Sequence, residues 1–234
     1  MTKARDTANL TGSGVGLSLL DIDAGTDIGA ALVDADLMIV DDGAGGTNRK
    51  ATMSRLATYM GTKIGGGLEF IATTDASDVA SVSFTGFDSS KYDSYVFTLG
   101  NVLPATDGTS LCLRMSVDGG SNYLSASDSY TVGSNVADSA GDANKIKFMY
   151  STTGNAASDG GFTADIKINF PHLNSVTYAF GSGIHSLTNG SVEAIRNYSL
   201  GKTKAATVVN AVQFLFQSGN IASGTFTMYG RVNS

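Results

Sequence analysis

The sequence predicts an all-β protein, an antiparallel β-sandwich of jelly-roll-like type preceded by a small α+β module. Only 15% of the 234 residues are charged and 29 are glycine, against roughly 25% charged residues in an average soluble domain. Tight turns therefore take the place of charged helical faces. After residue 67, apolar and polar residues alternate with a period of two, which indicates half-buried strands. Runs of Gly, Asp and Asn separate these stretches, as in a sandwich.

The glycine triplet at residues 65–67 divides the predicted protein into two domains. Glycine runs are flexible and commonly link compact units, and the residue pattern changes at this point. We therefore expect an N-terminal module over residues 1–64, a linker over residues 65–67 and a β-sandwich domain over residues 68–234.

Short elements are expected in the first part of the module. Apolar runs predict strands at residues 17–22 and 37–40, with a helical turn at residues 28–32 between them. An Asp- and Gly-rich turn over residues 41–46 follows the second strand.

A short helix is expected over residues 48–60. Thr47 or Asn48 can cap its start, and Gly61 can cap its end. One face of this helix carries an apolar stripe formed by Met53, Leu56 and Met60. Because so short a helix is not stable alone in water, we expect the stripe to pack on the preceding strands or on another chain.

The clearest strand of the second domain covers residues 162–170, where apolar residues alternate with Thr163, Asp165, Lys167 and Asn169. About nine or ten such strands without intervening helices favour two packed antiparallel sheets. Pro104 and Pro171 fit, since each stands at a strand margin. The other predicted strands are residues 79–84, 92–99, 111–117, 145–150, 176–180, 192–200, 207–216 and 225–229.

Charge and hydropathy exclude two classes of partner. The net charge is −6, and the longest basic run is the pair Arg49-Lys50, whereas nucleic-acid binding requires a clustered basic face. No window approaches the roughly 18 apolar residues of a membrane span, and residues 1–9 do not have the pattern of a signal peptide. We expect no nucleic-acid partner, no membrane insertion and synthesis in a cytoplasm.

The residues that commonly carry chemistry form no catalytic pattern. His172 and His185 have no Cys, Asp or Glu at metal-ligand spacing. Glu69 and Glu193 are the only glutamates, so a glycosidase pair would have to draw on aspartates. Cys112 lies in an apolar run and is expected to be a small buried hydrophobe. We expect no enzymatic activity, no cofactor and no metal site.

Two motifs match ligand-binding loops only in part. Residues 12–16 are glycine-rich but lack the Lys-Ser/Thr of a phosphate loop, so a flexible tether is favoured. Residues 21–27 place Asp at alternating positions, as in a calcium loop, but Leu32 stands at the twelfth position where Glu is needed. An Asx-type turn is favoured there.

Tyrosines with polar neighbours are the candidate binding residues. A half-buried position in the sandwich is the favoured alternative for each of them, and the polar neighbours could accept hydrogen bonds from sugar hydroxyls. The leading candidates are Tyr92, Tyr123 and Tyr130, and Tyr95 and Tyr178 share the same pattern.

Several short motifs are distinctive beyond their composition. The second domain contains FDSSKYDSY at residues 87–95, PATDG at 104–108, SVDGGSNY at 116–123 and SGNIASGT at 218–225. Together they resemble a β-sandwich domain of virion structural proteins from tailed bacteriophages, especially marine and cyanobacterial ones. In the first domain, LLDID at residues 19–23, DLMIVDDG at 36–43 and Arg49-Lys50 are similar to a module at the start of phage tail-fibre proteins.

The resemblance implies a structural component of a virion, a short tail fibre or fibre-like appendage. Residues 1–64 would dock on other virion proteins, and the sandwich would face a host surface and its glycans. Trimeric appendages of this kind would bury the stripe of Met53, Leu56 and Met60 between chains. The alternative is a capsid decoration or cement protein whose two regions lie flat on the shell. The resemblance brings no catalytic residues, and nothing in the residues favours a polysaccharide-degrading enzyme.

Overall fold

The structure, a computed structural model, describes residues 27–41, 48–63, 67–134, 141–149, 152–186 and 194–232. Strands account for 56% of the structure and helix for 7%, and the sheets are antiparallel. The predicted all-β sandwich class is therefore confirmed. The chain divides into two compact units, Met1–Lys63 and Ile64–Ser234.

The first unit contains two strands and one helix. Strand β1 (Leu37–Asp41) pairs with β2 (Asn48–Thr52) in antiparallel register, and helix α1 (Met53–Lys63) follows at once. Thr52 Oγ1 accepts a hydrogen bond from the Arg55 N–H at 3.4 Å, as an N-cap residue does. The strand expected at residues 37–40 is thus confirmed.

The predicted helix bounds were wrong. Residues 48–52 form β2 because their backbone groups pair with β1, so the helix starts at Met53 and Thr52 replaces Asn48 as its cap. Gly61 lies inside the helix rather than after it. Thr47 and the predicted strand at residues 17–22 fall outside the described residues.

The helical turn expected at residues 28–32 is absent from the described chain. Gly29 has a φ of +65°, in the left-handed region that interrupts a right-handed helix. Its N–H donates to Asp27 Oδ1 at 3.3 Å, a local side-chain bond that competes with helical hydrogen bonding. The turn lies further on instead, where the Asp36 N–H donates to Val33 O at 3.0 Å.

The second unit is built from one eight-stranded and one four-stranded sheet. The larger sheet has the order β3-β14-β5-β10-β11-β12-β7-β8, and the smaller has the order β4-β13-β6-β9. The strands are β3 (Leu68–Val79), β4 (Val82–Thr85), β5 (Tyr92–Pro104), β6 (Leu111–Ser116), β7 (Tyr130–Ser134), β8 (Gly141–Ala143), β9 (Ile146–Lys147), β10 (Phe162–Asn169), β11 (Tyr178–Ser186), β12 (Ala194–Thr203), β13 (Ala211–Phe216) and β14 (Ile221–Val232).

Aromatic rings from both sheets meet in the core. Phe84 of β4 lies 5.5 Å from Phe97 of β5, measured between ring centroids. Phe214 of β13 lies 5.3 Å from Phe97 and 5.5 Å from Phe226 of β14. All four rings are buried. Such aromatic pairs contribute about 0.5–1.5 kcal/mol each beyond the area they bury, so this cluster joins the two layers.

Strands that alternate buried and exposed residues were predicted better than strands that are mostly exposed. Strand β10 alternates buried and exposed residues along its whole length, as its sequence predicts, and ends before Phe170, whose φ is +47°. Strand β3 was missed. It lies at the edge of the large sheet and buries only one of its twelve residues, so its sequence carries no alternation. Strands β7 and β8 were missed as well.

Candidate binding face of the eight-stranded sheet

The sandwich buries two of the three leading tyrosine candidates. Tyr130 is fully buried; its hydroxyl accepts a hydrogen bond from the Met115 N–H at 2.7 Å and donates to Leu124 O at 3.1 Å. Burial raises the pKa of Tyr130 to about 12. The expectation of a surface role for Tyr130 is therefore wrong, because this ring belongs to the core and its hydroxyl satisfies buried backbone groups.

Tyr92 is also wrong as a surface candidate, since it is 6% exposed. Its ring packs directly on the backbone of Gly230, where an added Cβ atom would lie 2.3 Å from a ring carbon. The ring forms an edge-to-face pair with Tyr95, whose centroid lies 5.8 Å away, and Tyr95 is buried too. The glycine makes room for the ring inside the sandwich.

Tyr123 is half-buried at the end of a hydrogen-bonded loop. Asp118 organises this loop: its carboxylate accepts bonds from the side-chain amide and backbone N–H of Asn122 and from the Ser116 hydroxyl, all at 2.8 Å. The side-chain amide of Asn122 is the first cause that lowers the pKa of Asp118, followed by its backbone N–H. The motif at residues 116–123 thus shapes a turn.

Large apolar side chains instead occupy the outer face of the eight-stranded sheet. Along β11, Tyr178, Phe180 and Ile184 are exposed, whereas the alternate positions are small or buried. Gly181, Gly183 and Gly201 lie on the inner side, where an added Cβ atom would meet neighbouring atoms at 2.9 Å or less. These strands therefore direct their large residues to solvent and their small residues to the core, the reverse of what burial alone favours.

Strand register arranges the outer face in rows that run across the sheet, and three of them lie side by side next to the row that contains Ile184. Each row holds one residue from each successive strand, starting at β3. The first row is Phe70, Tyr229, Val96, Lys167, Phe180, Leu200 and Gly133; the second is Thr73, Thr227, Thr98, Asp165, Ser182 and Tyr198; the third is Leu68, Arg231, Ser94, Asn169, Tyr178, Lys202 and Thr131. We call this surface the outer face.

On the outer face, aromatic residues lie on both sides of strands β5 and β10, whose outward residues in the three rows are polar except for Val96. Phe70 and Tyr229 form an edge-to-face pair with centroids 6.1 Å apart. Tyr229 and Phe180 are three strands apart in the same row, about 14 Å at the usual strand spacing. Between them lies a depression of about 640 Å³ lined by Lys167, Asn169, Arg231 and their neighbours.

A second depression of about 370 Å³ adjoins the first. It is lined by Ser182, Ile184 and Tyr198 among others, and Thr98 and Asp165 line both depressions. The combined surface offers hydroxyl, amide, carboxylate and ammonium groups beside exposed rings. This mixture suits a ligand that has both apolar and polar sides.

Two lysines of the outer face lie over aromatic rings. Lys167 Nζ is 5.9 Å from the centroid of Phe180, and Lys202 Nζ is 5.8 Å from that of Tyr178. The two rings are two residues apart on β11, about 7 Å along the strand. The face therefore presents two adjacent pairs, each of one ring and one ammonium group.

The outer face differs in charge from the whole chain. Among the residues of the three rows, Lys167, Lys202 and Arg231 are cationic and Asp165 is anionic, whereas the chain carries a net charge of −6. A local positive surface on an acidic protein favours an acidic ligand.

The other candidates have structural positions. Cys112 is buried as expected, and burial raises the pKa of its thiol to about 11. His185 is buried beside Phe162, and burial lowers its pKa to about 4. Across the described ranges there is no group of three His, Cys, Asp or Glu residues that could hold a metal ion. The motif at residues 12–16 lies outside those ranges, and so does the motif at residues 21–27 except for its last residue, Asp27.

A smaller pocket, partly open to solvent, lies on the second unit. It measures about 90 Å³ and is lined by Tyr95, His172 and Val209, among others. That volume corresponds to about three water molecules, so the pocket is too small for a sugar ring. In the part of the chain with described positions, no helix is long and apolar enough to cross a membrane.

The predicted helix stripe is partly open to solvent. Leu56 and Met60 are exposed and Met53 is half-buried. The stripe's role in docking stays a prediction.

The outer face was not predicted from the sequence, although one signal was present. In the segment from Tyr178 to Ile184, alanine and glycine alternate with Tyr, Phe, Ser and Ile, three of which are large. The alternation predicts a strand, but only the packing of the inner glycines identifies which side faces solvent. Comparison with protein families, with curated proteins and with solved structures found no match to this chain.

Proposed function

We propose that this chain is a non-enzymatic structural component of a phage virion, a short tail fibre or fibre-like appendage that serves assembly and host-surface attachment. The observation that supports assembly is the exposure of apolar side chains in the first unit. Among its described residues, each of the following is at least 37% exposed: Ile28, Leu32, Val33, Leu37, Ile39, Val40, Leu56, Tyr59 and Met60.

So many exposed apolar side chains indicate a contact surface. Burial of one such side chain contributes about 1.5–3 kcal/mol, and an 11-residue helix is only marginally stable without packing. A partner that covers Leu56 and Met60 therefore stabilises the unit. In the proposed appendage, two further copies of the chain and neighbouring virion proteins supply that cover, which gives a homotrimer docked through residues 1–64.

The assembly role predicts a trimer that depends on the helix stripe. The double variant Leu56→Asp/Met60→Asp places two carboxylates in the proposed interface, where an unpaired charge is strongly destabilising. We expect the wild-type chain to have the mass of a trimer by light scattering, and the double variant to have that of a monomer. Thr58→Asp adds a carboxylate on the opposite side of the helix and is the matched control.

A stable wild-type monomer at micromolar concentration, with the first unit folded, would contradict docking by oligomerisation. Trimers that persist in the double variant would place the interface elsewhere. Either result leaves the surface of the sandwich to be tested separately.

A second candidate is a capsid decoration or cement protein. The observation in its favour is that the second unit also exposes large apolar residues, those of the outer face. Cement proteins stabilise a shell through lattice contacts, and such contacts bury apolar surface on several sides. A cryo-EM map of the intact assembly separates the candidates, because a fibre leaves the outer face open to solvent whereas a cement protein covers it.

A further inference from the structure

We propose that the outer face binds an acidic polysaccharide, whose sugar rings stack on Phe180 and its aromatic neighbours and whose carboxylates pair with Lys167, Lys202 and Arg231. The proposal names a ligand class for the attachment role, and its biological meaning rests on that proposed function. It is nevertheless testable on the purified chain, independently of oligomeric state.

The first argument is that folding does not account for the outward rings. The inner positions beside the outward rings are small, namely Ala179, Gly181 and Gly183 of β11 and Ser199 and Gly201 of β12. The core at Gly181 and Gly201 is filled by Ile166, Phe148 and Ile146. Phe180 and Tyr198 remain 43% and 49% exposed. An exposed apolar patch with a polar rim marks a binding surface.

The second argument is the composition of the surface between the rings. A sugar has an apolar C–H side and a rim of hydroxyls, so its site needs an aromatic ring beside hydrogen-bonding groups. Asp165 and Asn169 provide carboxylate and amide groups on β10, the strand next to Phe180, and Ser182 provides a hydroxyl on β11 itself. The adjoining depressions of about 640 and 370 Å³ extend over more than one such position.

The third argument is charge complementarity. Each lysine–ring pair places an ammonium group about 6 Å from a ring centroid, so a sugar that stacks on the ring has an ammonium group beside it that can pair with its carboxylate. The two pairs repeat along β11 with a spacing of about 7 Å. A neutral polysaccharide would use the rings but not the lysines, and therefore the lysines favour a carboxylated chain.

The test measures binding of the full-length chain by isothermal titration calorimetry. The probes are polygalacturonate, alginate and sialyllactose, with the carboxyl-reduced forms of the two polymers and lactose as their neutral counterparts. We expect at least one acidic probe to bind, with an affinity that falls as salt rises, and its neutral counterpart to bind at least fivefold more weakly.

Two variants locate the site. Lys167→Gln removes a charge and Phe180→Ala removes a ring, and we expect each to weaken binding about two- to fivefold, as expected for one exposed cation or ring contact. Lys147→Gln, a lysine of the small sheet, and Leu173→Ala, an exposed apolar residue outside the rows, are the matched controls and should bind as the wild type does.

Three outcomes would overturn the proposal. The first is no binding of any acidic probe, and the second is equal binding of the neutral counterpart. The third is a change in molecular mass caused by Phe180→Ala, which would show that a second copy of the chain covers the face. Light scattering on the same samples also shows whether the chain forms the trimer proposed for the helix stripe. Failure of the assembly role is therefore distinguished from failure of polysaccharide binding.

Discussion

A single hydroxyl, that of Tyr130, joins a strand, a loop and the core. It bonds the Met115 N–H of β6 and Leu124 O of the following loop, and no solvent reaches it. Removal of a buried partner leaves the other groups without hydrogen bonds, which costs more than the bond itself contributes.

The variant Tyr130→Phe tests that role. It keeps the ring but leaves the Met115 N–H and Leu124 O without this partner, so we expect the free energy of unfolding to fall by about 1–3 kcal/mol. Urea denaturation followed by circular dichroism measures the change. Tyr178→Phe, at an exposed tyrosine, should change stability by less than about 0.5 kcal/mol, and equal effects of the two variants would refute the assignment.

Asp118 makes the loop at residues 116–123 sensitive to acid. Hydrogen bonds from Asn122 and Ser116 lower the pKa of Asp118 in the folded chain below the unfolded value of about 3.9. The ionised carboxylate therefore stabilises the fold above about pH 4, and this contribution is lost as pH falls through the lowered pKa.

We expect the melting temperature of Asp118→Asn to fall less steeply than that of the wild type between pH 5 and pH 2, because the variant has no proton to take up there. Asp107→Asn is the control substitution of another turn aspartate. Parallel pH profiles for the wild type and Asp118→Asn would show that these hydrogen bonds do not influence stability.

At the scale of elements, the inner glycines of β11 and β12 set how closely the neighbouring residues approach. A Cβ atom on Gly201 would lie 2.6 Å from two carbons of Ile146, whereas one on Gly133 would meet nothing within 4 Å. Both glycines belong to adjacent strands of the same sheet. The pair therefore compares a filled position with an open one.

We expect Gly201→Ala to lower the free energy of unfolding by about 1–3 kcal/mol, because overpacking forces neighbours to shift. Gly133→Ala should be neutral or slightly stabilising, since it restricts the unfolded chain without a clash. Thermal unfolding of both variants measures the difference. If Gly201→Ala were as stable as Gly133→Ala, the close packing of β12 on Ile146 would be disproved.

The predictability of each element depended on how its burial alternates. Strand β10 was predicted because buried and exposed residues alternate without interruption. Strand β3 was not, because an edge strand with one buried residue leaves no such pattern. For residues 48–52 the local sequence signals predict a helix. These residues form a strand because they pair with β1, and that pairing is known only from the fold.

At the scale of the whole molecule, composition was sufficient for the fold class but not for the outer face. Tyr92 and Tyr130 have polar neighbours in sequence, yet both rings enter the core. Gly230 makes space for the ring of Tyr92, and the hydroxyl of Tyr130 accepts a hydrogen bond from the backbone of β6. Polar neighbours along the chain do not indicate which side of a strand faces solvent. That choice depends on the opposite sheet.

The inward glycines also affect how the protein can evolve. Since the core side of β11 and β12 is filled by residues from other strands, changes at Phe180, Tyr198 or Leu200 on the outer face leave that packing intact. If the outer face has the proposed binding role, mutations there alter what it recognises with little loss of stability. A lineage that carries this sandwich is therefore free to exchange one target for another in single steps while its scaffold stays constant.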